Sequence, residues 1–243
     1  MSAAYKILIV APSWVGDMVM SQTLLKLLKL KHGTNCQIDV LVNSWALDVV
    51  KRMPEVNQVH VNPFGHGEFG LIKRIKLGFS LRSEHYDQCF VLPNSFKSAL
   101  VPFFAGIPKR TGFVGEMRYG LLNDSYKLDK LALPLMIERF CALANAGRKP
   151  DAIEFPSFSV DTQNQTKVLN RLSLNLLKPV ICLCPAAEYG PAKRWPSIHF
   201  AKLADLLQAQ NYQVWIMGSA KDQSIAEEIV QQATVNADLH NLC

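Results

Sequence analysis

No stretch of about 18 or more uninterrupted apolar residues occurs in the 243-residue chain, because charged and turn residues cut every candidate; that excludes a membrane-spanning helix by length. The amino terminus carries no secretory pattern. Only Lys6 is basic ahead of the short apolar run at 7–11, which continues directly into a turn, so the chain is expected in the cytoplasm. Its six cysteines, Cys36, Cys89, Cys141, Cys182, Cys184 and Cys243, form no Cys-x-x-Cys pair and no His spacing typical of zinc. Reduced thiols and no metal site are expected. Cys182 and Cys184, two apart on a predicted strand, read as small core residues sharing one face. No Gly-x-Gly-x-x-Gly follows the first strand, which argues against a nicotinamide or flavin dehydrogenase, and no Gly-x-x-x-x-Gly-Lys-Ser/Thr phosphate loop is present. Nor does any Asp-x-Asp occur to hold a metal against a sugar nucleotide.

What is present is a core-forming composition, 49% hydrophobic, enough for one large domain or two smaller ones. Lys plus Arg number 26 against 20 Asp plus Glu, a net charge of +6. That balance favours an anionic partner: nucleic acid, anionic lipid or a phosphorylated sugar. The basic residues are scattered and no nucleic-acid reader motif is present, so nucleic acid is the weakest of the three.

Residues 7–11 are continuously apolar, as in a strand covered on both faces, and Pro12 and Gly16 bracket the turn before a helix that starts near Asp17. Strands at 37–43 and 58–61 flank a helix at 45–52, giving βαβαβ, the start of a parallel doubly wound sheet. In the helix at 71–79, Ile72, Ile75 and Phe79 share a face interrupted by Lys73, Arg74 and Lys76. A sheet-packing helix with a solvated basic side is the plainer reading; a basic amphipathic helix on an anionic membrane surface is the other. A fourth strand at 86–92 leads to a buried helix at 96–105, then a glycine- and arginine-rich loop from 108 to 120, then a long helix at 131–146. Residues 148–160 lose periodicity, gain prolines and read as a linker between domains 1–147 and 161–243. The pattern then restarts: helix 163–172, strand 179–184, helix 197–210, strand 213–217, helix 220–233 and a strand near 239–242. The second doubly wound domain is expected to be incomplete, a fragment of a longer protein or a small domain completed by another chain.

In open α/β sheets ligands bind beyond the carboxyl ends of the strands. Asp17 there is a candidate catalyst, with N-capping as the alternative. Asn94 and Ser95, after the fourth strand, either cap a helix or meet a sugar hydroxyl. The bidentate donors Arg110 and Arg118 suit phosphate or carboxylate, against the alternative of a solvated loop. After the strand at 179–184, Lys193 is placed to neutralise a diphosphate leaving group without a metal, although Trp195 packing and Pro196 at the first helical position need no ligand. Gly218, Ser219 and Asp222 suit a nucleotide and its ribose, or a capped helix.

Four segments, PSWVGDMVMSQ at 12–22, VLPNSFKSALVPFFAGIP at 91–108, GEMRYGLLND at 115–124 and CPAAEYGPAKRWP at 184–196, resemble glycosyltransferase family 9, the heptosyltransferases. The resemblance covers most of the chain. It implies a GT-B architecture of two Rossmann-like domains, the acceptor on the first and the ADP-sugar on the second. It also implies inverting, metal-independent and cofactor-free transfer of L-glycero-D-manno-heptose from ADP-heptose to the first heptose of the lipopolysaccharide inner core, heptosyl-Kdo2-lipid A, at the cytoplasmic face of the inner membrane. Carried over, the catalytic aspartate falls on Asp17 and the donor-phosphate lysine on Lys193. Ala186, Ala187 and Glu188 fall at the diphosphate, and Gly218, Ser219 and Asp222 near the nucleotide. Ser13, Trp14, Asn94, Ser95, Lys73, Lys97, Arg110 and Arg118 are the acceptor candidates. The family commonly has Pro-Gly-Ala-Glu where this chain has Pro185-Ala-Ala-Glu188, and its later Asn-Asp-Ser-Gly-Leu-Met-His motif would lie beyond Cys243. A chain without that motif could instead be a non-catalytic module that holds anionic glycolipid or a partner enzyme.

Overall fold

The structure is a computed structural model that describes residues 4–65, 67–187 and 190–243. It divides into two compact units, Met1–Asp161 and Thr162–Cys243.

In the first unit, β1 (Tyr5–Val10), β2 (Cys36–Asn43), β3 (Gln58–Asn62), β4 (Gln88–Val91), β5 (Lys109–Phe113) and β6 (Asp124–Tyr126) form one sheet in the order β3-β2-β1-β4-β5-β6, with every pairing parallel. β1 is central, and its side chains alternate between two cores. Ile7 and Ile9 pack with Leu24, Leu25 and Leu28 of α1 (Val15–His32) and Phe140 of α5 (Met136–Leu143). Leu8 and Val10 pack with Leu81, Val101 and Ile107 on the other side. A strand buried on both faces has no polar alternation, which is why this run is continuously apolar.

The arginine-rich segment expected to be loop contains β5. Its strand character comes from pairing and not from propensity: Thr111, Gly112 and Phe113 are buried beside β4. A Cβ on Gly112 would meet Leu122 Cδ1 at 2.9 Å, so a side chain there would push the neighbouring loop away. A polar ladder ties four strands together. Tyr5 donates to Gln88 Oε1 (3.0 Å), Gln88 Nε2 to Thr111 Oγ1 (2.8 Å), Thr111 to Asp124 Oδ2 (2.8 Å), and Tyr126 to Asp124 Oδ1 (2.8 Å). Each buried polar group thereby has a partner.

Three other expectations change. The helix at 131–146 shortens to Met136–Leu143, because Pro134 lacks an N–H and Asp129 Oδ1 instead holds a turn by accepting from Leu131 N and Ala132 N. Residues 45–52 and 96–105 each begin as a 3₁₀ turn, leaving the short helices α2 (Leu47–Val50) and α4 (Leu100–Phe104). In α3 (Leu71–Ser80) the apolar stripe does not pack on the sheet: Ile72 is 69% exposed, and Phe79 is exposed as well. The buried positions are Arg74 and Gly78. Gly78 lets the α4 backbone come so close that a Cβ would lie 2.6 Å from Phe104 Cβ and 2.8 Å from the Val101 carbonyl.

Residues 148–160, expected to be a linker, fall within the first unit and are bonded to the rest of it at several points. Gln22, fully buried, donates to the Ser157 carbonyl (2.7 Å) and accepts from Ser157 N (2.8 Å). Ser159 N donates to the Arg52 carbonyl at 2.9 Å, and Lys26 pairs with Glu154 at 2.8 Å.

The second unit holds α6 (Thr162–Arg171), β7 (Val180–Leu183), α7 (Ser197–Ala209), β8 (Gln213–Ile216), α8 (Gln223–Gln232) and β9 (Leu239–Asn241), with a parallel sheet β7-β8-β9. Leu183, Val214 and Ile216 pack on Ala201, Ala204, Ala226 and Ile229 of α7 and α8. Strand alternation sends Cys182 and Cys184 to the face opposite Leu183, where both are exposed; the expectation that they are core residues is corrected. Among the described residues no helix is long and apolar enough to cross a membrane.

Candidate functional site

The strand order reverses direction between β1 and β4, which is the switch point where a parallel sheet opens a crevice at its carboxyl end. A cavity of about 200 Å³ occupies that end. Ala11 and Ser13 line it after β1, Asn43 at the end of β2, Asn62 at the end of β3, and Pro93 and Ser95 after β4. The asparagines are fixed: Asn62 Nδ2 donates to Asn43 Oδ1 (3.0 Å), and Asn43 Nδ2 to the Phe64 carbonyl (3.2 Å).

Asp17 is the third residue of α1, and the N-cap is Trp14, which makes no side-chain capping bond. Capping therefore does not account for the aspartate. Its carboxylate has no hydrogen bond or ion pair among the described residues, and partial burial raises its pKa from the ordinary aspartate value. A helix N-terminus favours the ionised form and works against this shift. The turn ahead of it is steadied by Trp45, whose Nε1 donates to the Ser13 carbonyl at 3.1 Å. A Cβ on Gly16 would meet nothing within 4 Å, so the turn next to Asp17 is open.

The basic candidates separate into two kinds. Arg118 is 2% exposed. Its Nη1 donates to the Pro93 carbonyl and its Nη2 to the Phe113 carbonyl, both at 2.6 Å, with Ser98 Oγ and Asn94 Oδ1 each at 3.2 Å. Burial pushes the guanidinium down to about 10, still a cation at neutrality. This arginine pins the loop after β4 and is not a solvated donor. Arg110 is likewise spent on the carbonyls of Leu121 and Ile107, both at 2.6 Å. Lys73 is exposed and pairs with Glu68 at 3.0 Å. Lys97 and Ser95 line the cavity; Asn94 is exposed and does not. Ser95 sits at the N-cap of a 3₁₀ turn without a side-chain capping bond.

Sequence reasoning missed Asn43, Asn62 and Ser98 as cavity residues, and took Arg74 only as an interruption of a helix. The two asparagines end strands of the sheet, a position that could have drawn attention to them. Arg74 is 5% exposed, and nothing in its local sequence distinguishes it from Lys73.

In the second unit, Lys193 ends a 3₁₀ turn, Pro191–Lys193, and its ammonium is exposed with no partner among the described residues. The loop is shaped by Lys193 N donating to the Gly190 carbonyl (3.1 Å) and Arg194 Nη2 to the Ala187 carbonyl (3.1 Å). Ala186 and Ala187 are half-buried; Glu188 lies outside the described residues. Trp195 stacks on His199, ring centroids 5.2 Å apart, and Pro196 is the N-cap of α7 and not its first residue. Ser219 N and Oγ both donate to Asp222 Oδ2 at 2.8 Å, which lowers that carboxyl's pKa. The Ser219–Asp222 pair thus closes a helix start. Gly218 is tightly enclosed, since a Cβ would lie 2.9 Å from Cys243 Sγ and 3.0 Å from Asp222.

Two Rossmann-like units with parallel sheets, together with the likeness to the solved heptosyltransferase structure given below, place the chain in the GT-B class of glycosyltransferases. The profile of glycosyltransferase family 9 (heptosyltransferase) matches residues 74–243, and the chain belongs to that family. Lipopolysaccharide heptosyltransferase 2 of Escherichia coli K12 is 49% identical, the match covering 98% of this chain and 70% of the relative. Lipooligosaccharide heptosyltransferase 2 of Haemophilus influenzae is 47% identical over 93% of this chain and 67% of its own length. The solved structure of E. coli ADP-heptose LPS heptosyltransferase II superposes with a TM-score of 0.88 at 46% identity, covering 98% of this chain and 72% of that one. These likenesses do not favour a non-catalytic binding module.

Proposed function

We propose that the chain transfers L-glycero-D-manno-heptose from ADP-heptose to the first heptose of a lipopolysaccharide inner core, with inversion and without a metal or other cofactor. The observation that carries the mechanism is the Asp17 carboxylate: half-buried, unpaired among the described residues and not used as a cap. Similarity to the heptosyltransferases supplies the substrates. Asp17 takes the proton of an acceptor hydroxyl as that oxygen attacks the anomeric carbon from the face opposite ADP. The glycosidic bond to the diphosphate breaks, and the configuration inverts. A base with a raised pKa removes a proton more effectively near neutrality than an ordinary carboxylate. Lys193 neutralises the departing diphosphate through its exposed ammonium, and Ala186 and Ala187 precede it in the same loop.

The acceptor is held in the first unit, with Ser13, Ser95 and Lys97 on the cavity wall and Trp14 exposed beside it in sequence. Its lipid part brings the protein, as a peripheral one, to the cytoplasmic face of the inner membrane. Support for this is the outward stripe of α3, where Ile72, Lys76 and Phe79 are exposed beside Lys73, an apolar and basic mixture suited to an anionic interface.

Calorimetry with ADP-heptose, on this chain and on Lys193→Ala, tests the donor half; a loss of about tenfold in affinity is expected. Turnover with Asp17→Asn tests the chemistry. A fall of roughly 10² to 10⁴ in kcat with KM little changed is expected for a lost general base. Unaltered turnover would remove Asp17 from the mechanism.

A further inference from the structure

The connection from β5 to β6 contains a turn that L-residues rarely adopt. Glu116 and Met117 stand in succession at φ +41° and +52°, and Arg118 N closes the turn on the Gly115 carbonyl at 3.3 Å. Two successive left-handed residues in a turn are ordinarily glycine, asparagine or aspartate, because a Cβ crowds the following carbonyl there. Strain of this kind persists only where the surroundings hold it. Met117, 82% exposed, offers little packing in return. The holding contacts come from its neighbours, and they reach the loop after β4.

Gly115 lies so close to that loop that a Cβ on it would come 2.9 Å from the Asn94 carbonyl oxygen. Arg118 holds the Pro93 carbonyl (2.6 Å) and, more distantly, the Ser95 carbonyl (3.4 Å). Glu116 takes a donor: its Oε2 accepts from Phe96 N at 2.7 Å. Phe96 opens the 3₁₀ turn Phe96–Ala99, of which Ser95 is the N-cap. A serine in that position ordinarily spends its hydroxyl on the open N–H groups of the turn it begins. Ser95 makes no such bond, and it lines the cavity at the sheet's carboxyl end. A carboxylate from a distant segment thus serves the start of the turn, and the serine hydroxyl is left over.

We propose that Glu116 is a positioning residue for the acceptor: the strained turn aims its carboxylate at Phe96 N, so that Ser95 keeps its hydroxyl for a hydroxyl of the sugar being extended. It rests on the glycosyltransferase reading for the identity of that sugar. Glu116 touches no reacting atom and acts through Ser95, so its loss weakens the acceptor and not the donor.

The test joins solvent exchange of the Phe96 amide, read by nuclear magnetic resonance on the full chain, with calorimetric titration of heptosyl-Kdo2 oligosaccharide and of ADP-heptose. Glu116→Ala should speed Phe96 exchange about fivefold and raise the Kd of the oligosaccharide by about the same factor, leaving the Kd of ADP-heptose as it is. Glu116→Gln, whose Oε1 still accepts from Phe96 N, should restore both. Ser95→Ala should weaken the oligosaccharide about as much, and adding Glu116→Ala to it should weaken it no further, whereas two independent losses would multiply. Met117→Gly relieves the backbone and keeps the Glu116 contact, so it should raise Tm by about 2 °C and leave the Kd of the oligosaccharide unchanged. Unchanged Phe96 exchange in Glu116→Ala, multiplying losses in the double variant, a lower Tm in Met117→Gly, or no oligosaccharide binding by the unsubstituted chain overturns the proposal. Transfer by the unsubstituted chain is read separately: its absence alongside these shifts in oligosaccharide binding counts against the transferase reading and leaves the role of Glu116 standing.

Discussion

Replacing Arg118 with leucine should destabilise the first unit and not merely weaken a surface contact. The guanidinium is 2% exposed, and the carbonyls of Pro93 and Phe113 each accept from it at 2.6 Å. Leucine fills much of the space but takes this donor from the Phe113 carbonyl and leaves the Pro93 carbonyl with Ser98 Oγ alone, at 3.1 Å. An unsatisfied buried acceptor costs about 1–3 kcal/mol. Removing the buried cation returns some of this, because its own desolvation is relieved and Nε has no partner even in the native protein. A net loss of about 2 kcal/mol follows, which lowers Tm by roughly 4–8 °C for a unit of this size. The assay is thermal unfolding followed by circular dichroism, with the transition of the first unit resolved from that of the second. Because the arginine fixes the loop carrying Ser95 and Lys97, binding of acceptor should fall only as far as that loop loosens. A Tm within about 2 °C of the unsubstituted chain, together with a large loss of acceptor binding, would refute the reasoning and return Arg118 to the role of ligand donor.

If Asp17 acts as a base in its ionised form, kcat/KM rises with pH through a pKa above the ordinary carboxylate value and falls below it; initial rates across pH, against the flat low profile of Asp17→Asn, check this. The same shift means that the folded state disfavours the ionised carboxyl. The penalty is absent below the unfolded pKa and complete above the folded one, so Asp17→Asn should raise Tm slightly at neutral pH and leave it unchanged in acid. Gly78→Ala should lower stability by roughly 1–3 kcal/mol despite the better helix propensity of alanine, because the added methyl meets the α4 backbone; urea unfolding measures it. Paired Ile72→Glu and Phe79→Glu should reduce sedimentation with anionic lipid vesicles while leaving ADP-heptose binding intact, and unchanged sedimentation would take the membrane role from α3.

Residue types and their periodicity determined the parallel α/β class, the buried central strand and the turn that carries Asp17. These are local signals: a continuous apolar run, a proline and a glycine at a turn, and a helix beginning at a strand's carboxyl end. The same signals marked Asn94 and Ser95, which follow the fourth strand, and of the two only Ser95 is among the residues that line the cavity. They failed where pairing outweighs propensity, as at β5, whose charged sequence becomes a strand because β4 presents an edge to it. They failed again over which face of a helix is buried. In α3 the apolar stripe points outward, since Gly78 lets α4 close in and carries Arg74 inward with it. Among the cations, sequence treats Lys73, Arg74, Arg110 and Arg118 alike. Only the tertiary structure sets Arg74 on the wall of the cavity and ties Arg110 and Arg118 to loop carbonyls away from it, because a donor's partners come from segments distant in the chain. The position of Asp17 after the first strand was legible locally; the make-up of the cavity at the sheet's carboxyl end depended on how β1 to β4 and α3 come together.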